Sequence, residues 1–262
     1  MKRTIIINLL LLIMTACEII PPAERYVSTT LESARASLLV EFTGLQCVNC
    51  PAAAITAQEL QQAMGDQLVV VAMHPASNPF TKAKAQYDYT CAEADTYYQF
   101  CGGEPTTAFP TGVVNFSADA HGTYLVDKDS WGVQLAAANA ETPQCFIELQ
   151  SSTEQNLNVK LANITTESQE WQVVCWLVED SVQGAQLMPD GSTNTAYMHR
   201  HMLRACVSPI WGDTVHVLPA GEVEHQFTLP ALPYKVQRKE YCLWVVLVMK
   251  DRIVKNVKQI KF

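Results

Sequence analysis

Charged residues are scarce in this sequence, and basic ones are the scarcer kind. Only 17% of the 262 residues are charged, and 26 acidic residues against 18 basic ones leave a formal net charge of -8. No stretch combines a cluster of Lys and Arg with interleaved aromatic residues, which is the pattern that nucleic-acid-binding proteins carry. The composition therefore argues against a nucleic-acid partner.

Long apolar runs are also lacking, except at the N-terminus. Ile5–Met14 is apolar but too short to span a bilayer comfortably, and it follows the basic pair Lys2 and Arg3. This pattern is typical of an export leader. The leader ends in Ile-Met-Thr-Ala-Cys17, which resembles the lipobox of bacterial lipoproteins.

The lipobox resemblance implies how the protein is held at a membrane. It predicts a signal peptide over residues 1–16, cleavage before Cys17 and attachment of lipid, including palmitate, to Cys17. Residues 17–37 then form a short tether, so the protein is anchored to the membrane rather than spanning it. An ordinary secretory signal is the alternative. Either leader exports the chain to a compartment in which disulfides persist.

Two of the cysteines have a spacing that is typical of dithiol chemistry. Leu38–Val40 predicts a buried strand, and helix formers with apolar residues at helical spacing begin at Pro51. Between them lie Cys47 and Cys50, spaced C-x-x-C, at the start of the predicted helix, where free N–H groups and the helix dipole stabilise a thiolate. No second C-x-x-C or nearby C-x-H completes a zinc set. The motif therefore favours dithiol chemistry, and neither a metal nor another cofactor is expected.

The remaining cysteines suggest structural roles. Cys91 and Cys101 are close in sequence and are a possible structural disulfide. Four more lie in the second half, where they could form two disulfides or remain buried thiols: Cys145, Cys175, Cys206 and Cys242.

The hydrophobic pattern changes once along the chain. Residues 38–74 predict a β-α-β unit with parallel strands, and residues 75–105 predict a mostly helical insertion. Pro110 then opens a predicted hairpin whose return strand is Thr123–Val126, and a helix follows. Beyond residue 142 the apolar residues alternate with period two, which predicts an all-β sandwich over 143–262.

The order of the first half, residues 38–142, resembles a thioredoxin-like α/β domain. The resemblance implies that Cys47 is the nucleophile and Cys50 the resolving cysteine. It also implies that Glu41 is a buried acid that shuttles the proton of Cys50, and that Pro110 is a cis-proline beside the dithiol. A permanent Cys47–Cys50 disulfide that only staples the turn is the alternative.

Residues 24–262 together resemble the Omp28-type outer-membrane lipoproteins of the Bacteroidetes. The resemblance rests on EFTGLQCVNCPAAA, VAMHP, FPTGVVNF and YMHRHMLRACVSPIWGD. It implies a lipoprotein of the outer membrane, on either its periplasmic or its surface side, with a thioredoxin-like domain followed by a β-sandwich. The activity of that family is poorly defined, so the resemblance adds location and architecture more than chemistry.

Two functional hypotheses follow. The first is a membrane-tethered thiol–disulfide oxidoreductase that acts on the thiols or disulfides of exported proteins. The alternative is a non-enzymatic lipoprotein whose sandwich binds a protein or glycan. Four histidines are interpreted as polar loop or strand-face residues rather than as metal ligands: His74, His199, His201 and His216.

Overall fold

The computed structural model describes residues 35–84, 86–153, 155–232 and 241–261. The predicted signal peptide and lipidated Cys17 lie outside these residues. No helix within the described ranges is long and apolar enough to cross a membrane.

The first half of the chain builds a small α/β layer. Strands β1 (Ser37–Phe42) and β2 (Leu68–Met73) pair in parallel through helix α1 (Cys50–Met64), as predicted. Strand β3 (Thr111–Val114) pairs antiparallel on the other side of β1. Every residue of β1 and β2 is buried, which explains why both read as unbroken apolar runs rather than as alternating ones.

Two further helices complete this half. They are α2 (Ala92–Phe100) and α3 (Lys128–Asn139). Strand β1 is covered on both faces, because its alternate side chains point in opposite directions. Leu39 packs with apolar residues of α1 and α3, whereas Phe42 packs in a cluster that contains Tyr97 of α2.

The described part of the second half consists of strands. They are β4 (Cys145–Thr153), β5 (Asn156–Asn163), β6 (Gln169–Glu179), β7 (Val182–Leu187), β8 (Thr193–His199), β9 (Met202–Cys206), β10 (Asp213–Val217), β11 (Glu222–Thr228), β12 (Cys242–Lys250) and β13 (Ile253–Lys261). The molecule is therefore a mixed α/β protein with mostly strands and few helices.

The largest sheet contains strands from both halves, in the order β13-β12-β6-β9-β2-β1-β3, with β10 paired to β6. Strand β9 joins β2 in parallel at Ala72 and Met202, and the Ala72 N–H donates to the His201 carbonyl at 2.7 Å. The sequence predicted a sandwich that follows a separate α/β domain. Instead, the sheet continues across residue 142, and the described residues belong to one compact unit.

A second layer covers part of this sheet. Strands β11, β5 and β4 form a three-stranded sheet, and its apolar residues share a buried cluster with Trp171 of β6 and Trp244 of β12. Among the described strands, β7 and β8 pair only with each other and form a separate hairpin.

Two local predictions are wrong. The expected return strand Thr123–Val126 is reduced to one isolated bridge between Gly112 and Val126. Asn115 and Phe116, both with positive φ, form a tight turn in which the Ser117 N–H donates to the Val114 carbonyl at 2.9 Å. A second turn follows, in which the Asp119 N–H donates to the Thr123 carbonyl at 2.8 Å, and the returning chain pairs with β3 at Gly112 alone among the described residues. The predicted helical insertion contains one helical turn at Pro79–Thr81 and the nine residues of α2, so it is much less helical than expected.

Candidate functional site

The turn between β1 and α1 carries the C-x-x-C motif, and α1 begins at Cys50. Within the turn, the Gln46 N–H donates to the Phe80 carbonyl at 2.8 Å and the Cys47 N–H donates to the Gly44 carbonyl at 3.1 Å. Position 44 requires glycine, because a Cβ there would lie 2.3 Å from the Phe80 carbonyl oxygen. The segment around Phe80 therefore packs directly on the turn that presents Cys47.

Cys47 and Cys50 form a disulfide, with their Cα atoms 5.4 Å apart. Each cysteine is only 2% exposed. Val48 and Asn49, which lie between them, are exposed. The disulfide thus lies at the first turn of α1, where the sequence predicted the pair, and just beneath the surface.

Glu41 lies on the face of β1 that α1 covers. It is 3% exposed, and its Oε1 has no hydrogen-bond partner among the residues described. Burial raises the pKa of Glu41 to about 8, against the opposing effect of a hydrogen bond from Thr43. Most of this carboxyl is therefore protonated at neutral pH, because burial disfavours the charged form.

A cleft of about 220 Å³ borders both Glu41 and Cys50. Its floor comes from β1 and β2, one wall from α1 and the opposite wall from β8 and the residues after it. One ordered water needs roughly 10–15 Å³, so the cleft has room for several. Water in the cleft can therefore carry a proton between the carboxyl and the thiol.

Three of the four predicted polar histidines line this cleft: His74 after β2, His199 at the end of β8 and His201 just beyond it. The rings of His74 and His199 lie 6.4 Å apart, and that of Tyr89 lies 5.8 and 5.0 Å from them. His216 lies elsewhere, with an exposed side chain on β10. Within the described ranges, no group of three or more His, Cys, Asp or Glu residues is arranged to hold a metal ion.

Burial keeps the cleft imidazoles neutral. Burial is the main cause that lowers the pKa of His74 to about 3, with smaller contributions from His199 and Arg204, whose positive charge opposes protonation of His74. Burial lowers the pKa of His199 to about 4, although a hydrogen bond with the Ala185 backbone opposes this. Both ring nitrogens of His74 and Nε2 of His199 lack a partner in the part of the chain that the structure describes. These atoms are therefore candidates for hydration by cleft water.

The β7–β8 hairpin reaches the dithiol turn through Gln186, which is 3% exposed. Its Nε2 lies 2.9 Å from the carbonyl oxygen of Cys47, 3.1 Å from that of Leu187 and 3.3 Å from that of Gly44. In addition, the Leu187 N–H donates to the Leu45 carbonyl at 2.9 Å. Sequence reasoning missed Gln186, because it lies 139 positions after Cys47 and no local pattern relates the two.

Pro110 directly precedes β3, and the Phe109–Pro110 peptide bond is cis, as predicted. Phe109 is buried in the apolar cluster that also contains both cysteines of the disulfide. Its ring stacks on that of Phe80, with the centroids 6.0 Å apart. The start of β3, the dithiol turn and the Phe80 segment thus meet in one place.

The predicted disulfide between Cys91 and Cys101 is wrong, because both thiols are free. Cys91 is the N-cap of α2 and Cys101 is its C-cap. A rise of about 1.5 Å per residue separates these ends by roughly 15 Å, whereas a disulfide needs Cα atoms within about 7 Å. In the second half, Cys145 and Cys175 are buried free thiols, which agrees with the non-disulfide alternative.

Two solved structures resemble this one over most of the chain. HBP35 of Porphyromonas gingivalis has a TM-score of 0.64 and 11% identity, covering 87% of this chain and 76% of that chain. A structural-genomics protein of Agrobacterium tumefaciens has a TM-score of 0.55 and 12% identity, covering 87% of this chain and 95% of that chain. Identities this low show a shared fold and say nothing about function.

Two other comparisons concern a single domain and the curated proteins. A domain of the outer membrane lipoprotein Omp28 from Porphyromonas gingivalis is 17% identical and covers 47% of this chain and 90% of that chain, with a TM-score of 0.29. No curated protein matches the sequence.

A family match covers most of the chain. The model of the family described as "Outer membrane protein Omp28" matches residues 94–262. The matched region begins inside α2 and includes the hairpin that lines the dithiol cleft, but it does not include the C-x-x-C motif. Because it covers well over half of the sequence, the protein belongs to the Omp28 family of outer membrane proteins.

Proposed function

We propose that the protein is a thiol–disulfide oxidoreductase of the outer membrane, with a thioredoxin-like first half and a Cys47–Cys50 active pair. The observation that carries the proposal is the disulfide at the start of α1 beside a buried carboxyl in a cleft that can hold water. The parallel β1–α1–β2 unit and the antiparallel β3 support the thioredoxin-like assignment.

The chemistry is a transfer of two electrons between a dithiol and a disulfide. In the reduced protein, the Cys47 thiolate attacks a disulfide of an exported protein, forms a mixed disulfide and releases one substrate thiolate, which takes up a proton. Cys50 passes its proton to Glu41, and its thiolate attacks the Cys47 sulfur. This step releases the second substrate thiol and restores the Cys47–Cys50 disulfide. The same steps in reverse oxidise a substrate dithiol.

Glu41 supports the second step because it is a buried carboxyl that lines the same cleft as the resolving cysteine. Its raised pKa keeps a proton available close to neutral pH. The carboxyl therefore gives a proton to the Cys50 thiolate when a substrate dithiol is oxidised, and it accepts the Cys50 proton when a substrate disulfide is reduced.

The proposed location follows from the leader and the family. Lipid on Cys17 would hold the protein at the outer membrane, and residues 17–37 would tether the folded part. Exported protein thiols and disulfides are then the substrates within reach.

The direct test is a redox titration of the purified protein against reduced and oxidised glutathione. We expect the Cys47–Cys50 pair to open and close reversibly, and insulin reduction or reduced-ribonuclease oxidation to depend on it. Cys47→Ser should abolish either activity, and Cys50→Ala should accumulate a mixed disulfide through Cys47. A Cys47–Cys50 pair that stays oxidised throughout the titration would contradict the proposed oxidoreductase activity.

One observation favours a second function. Both cysteines are almost completely buried, as they would be in a disulfide that only staples the turn. The protein would then be a non-enzymatic lipoprotein that binds a protein or glycan through its strand-rich second half. This alternative predicts no mixed disulfide with Cys50→Ala.

A further inference from the structure

The dithiol turn makes side-chain contacts with a distant part of the chain. Gln186 on β7 directs its amide nitrogen at the carbonyl oxygens of Cys47 and Gly44, at 2.9 and 3.3 Å. The contact is buried, and the side chain is 3% exposed. A buried amide that meets backbone carbonyls on both sides of a turn restricts the conformation of that turn.

The same hairpin is joined to the turn and the cleft by other contacts. The Leu187 N–H donates to the Leu45 carbonyl at 2.9 Å, so β7 contacts the turn through main chain as well as side chain. Tyr197 and His199 of β8 line the cleft with Cys50. Strands β7 and β8 pair with no other strand that the structure describes, so these contacts help to fix the position of the hairpin.

The position of the Gln186 amide has an electrostatic consequence for Cys47. Each carbonyl oxygen carries partial negative charge, which disfavours a thiolate nearby. The Gln186 N–H groups place partial positive charge against two such oxygens on the turn. Removing them should therefore make the Cys47 thiolate less stable and leave the disulfide comparatively more stable.

We propose that Gln186 is a positioning residue for the dithiol, through which the second half of the chain tunes the reduction potential of the Cys47–Cys50 pair. The inference rests on the proposed function, because it concerns the same pair. If Gln186 has this role, the β7–β8 hairpin is a functional part of the dithiol site.

The test compares Gln186→Met, which keeps the length of the side chain and removes its donors, with Gln183→Met on the same strand. Gln183 has an exposed side chain, so its replacement controls for a change of hairpin composition. The full-length protein is equilibrated with reduced and oxidised glutathione, and the reduced fraction is counted by thiol alkylation and mass spectrometry.

We expect Gln186→Met to shift the equilibrium about tenfold toward the disulfide, which is about 30 mV more reducing for a two-electron couple. The alkylation rate of Cys47 at neutral pH should fall in the same variant. Gln183→Met should match the wild type. A purely structural role for Gln186 would lower the thermal midpoint and leave both redox readouts unchanged.

Gln186→Glu provides a second variant of almost unchanged shape if Gln186→Met does not fold. A buried carboxyl is mainly protonated and has one O–H donor where the amide has two N–H donors, so the equilibrium should shift in the same direction. Folded Gln186 variants with the wild-type equilibrium and the wild-type alkylation rate would overturn the inference alone. A wild-type pair that glutathione never opens would instead reject the proposed function, and the inference with it.

Discussion

Glu41 and the cleft histidines show opposite pKa shifts that have the same cause. Burial disfavours the carboxylate and raises the pKa of Glu41 to about 8, whereas it disfavours the imidazolium and lowers the pKa of His74 to about 3. At mildly acid pH all of these groups are therefore mainly neutral. Neutral imidazoles and a protonated carboxyl beside the disulfide suit proton transfer, because they supply both donors and acceptors.

The first residue-scale prediction concerns the chemistry of Glu41. Glu41→Gln keeps the size of the side chain and removes its exchangeable proton. We expect resolution of a mixed disulfide to slow by about 100-fold and to lose its dependence on a group that titrates near pH 8. Stopped-flow single turnovers across pH measure this.

The matched control for that variant is Glu59→Gln, because Glu59 is an exposed carboxylate on α1. It should behave as the wild type does. An unchanged rate and pH profile in Glu41→Gln would remove Glu41 from the mechanism.

The second residue-scale prediction concerns stability in acid. Unfolded His74 and His199 titrate near 6.5, whereas burial lowers their folded pKa values to about 3 and about 4. Between pH 6.5 and about 3 the unfolded state therefore binds more protons than the folded state. The stability that the two buried neutral histidines contribute is present above pH 6.5 and is lost as the pH falls toward 4 and 3. His74→Asn should reduce the loss between about pH 7 and 4 by on the order of 1–3 kcal/mol.

Urea unfolding at several pH values measures this slope, with His216→Asn, an exposed site, as the control. Glu41 has the opposite effect. Burial raises the pKa of Glu41 in the folded state, so the stability that its protonated carboxyl contributes is present below pH 4.5 and is lost as the pH rises through about 8. Parallel stability curves for His74→Asn and the wild type would contradict the assignment.

At the scale of elements, the dithiol turn depends on close packing between segments rather than on the propensity of any one of them. Helix α1 begins with Cys50 and Pro51, and proline is well tolerated at a first helical position. The small residues Ala53 and Ala57 are buried and let the helix lie close to the sheet. The Phe80 segment and the β7–β8 hairpin then contact the turn.

The element-scale prediction compares two glycines. Gly44→Ala should destabilise the protein by on the order of 2–3 kcal/mol, because the new Cβ would meet the Phe80 carbonyl oxygen at 2.3 Å. Gly132→Ala lies inside α3 and meets only Leu60 Cδ2 at 3.5 Å. It should stabilise the protein by roughly 0.5–1 kcal/mol, because alanine is the better helix former. Urea unfolding of both variants tests this, and equal effects would contradict it.

At the scale of the whole molecule, the two halves share one sheet and one core. Strand β9 extends the sheet beyond β2. The cluster that buries Phe42 and Tyr97 also contains Trp176 and Leu247 from the second half. Separating the halves would expose these side chains and the edge of β2.

We therefore predict that a fragment of residues 35–142 does not fold cooperatively on its own. The full chain should unfold in one transition whose midpoints by circular dichroism and by tryptophan fluorescence coincide. The comparison requires urea titrations of the fragment and the full chain. A fragment with a cooperative transition of its own would contradict the prediction.

Much of the first half could be predicted because its signals are local. The apolar runs that form β1 and β2 and the C-x-x-C at the start of α1 lie within a few residues of the features that indicate them. The cis bond before Pro110 followed instead from the resemblance of residues 38–142 to thioredoxin-like domains. The errors also have local causes. A second turn over residues 119–123 follows the tight turn after β3 and leaves one bridge where a return strand was expected, and the helix between Cys91 and Cys101 keeps the two thiols apart.

The sequence alone determined that the chain carries a dithiol where a strand leads into a helix and a strand-rich second half, and it predicts an export leader, because each depends on residues that are neighbours along the chain. Only the tertiary structure decided that β9 pairs with β2, that His74, His199 and His201 line the cleft beside Glu41, and that Gln186 bonds to the backbone of Cys47. These contacts join positions far apart in sequence, and the burial that perturbs the pKa values of Glu41 and the histidines exists only once the layers have packed.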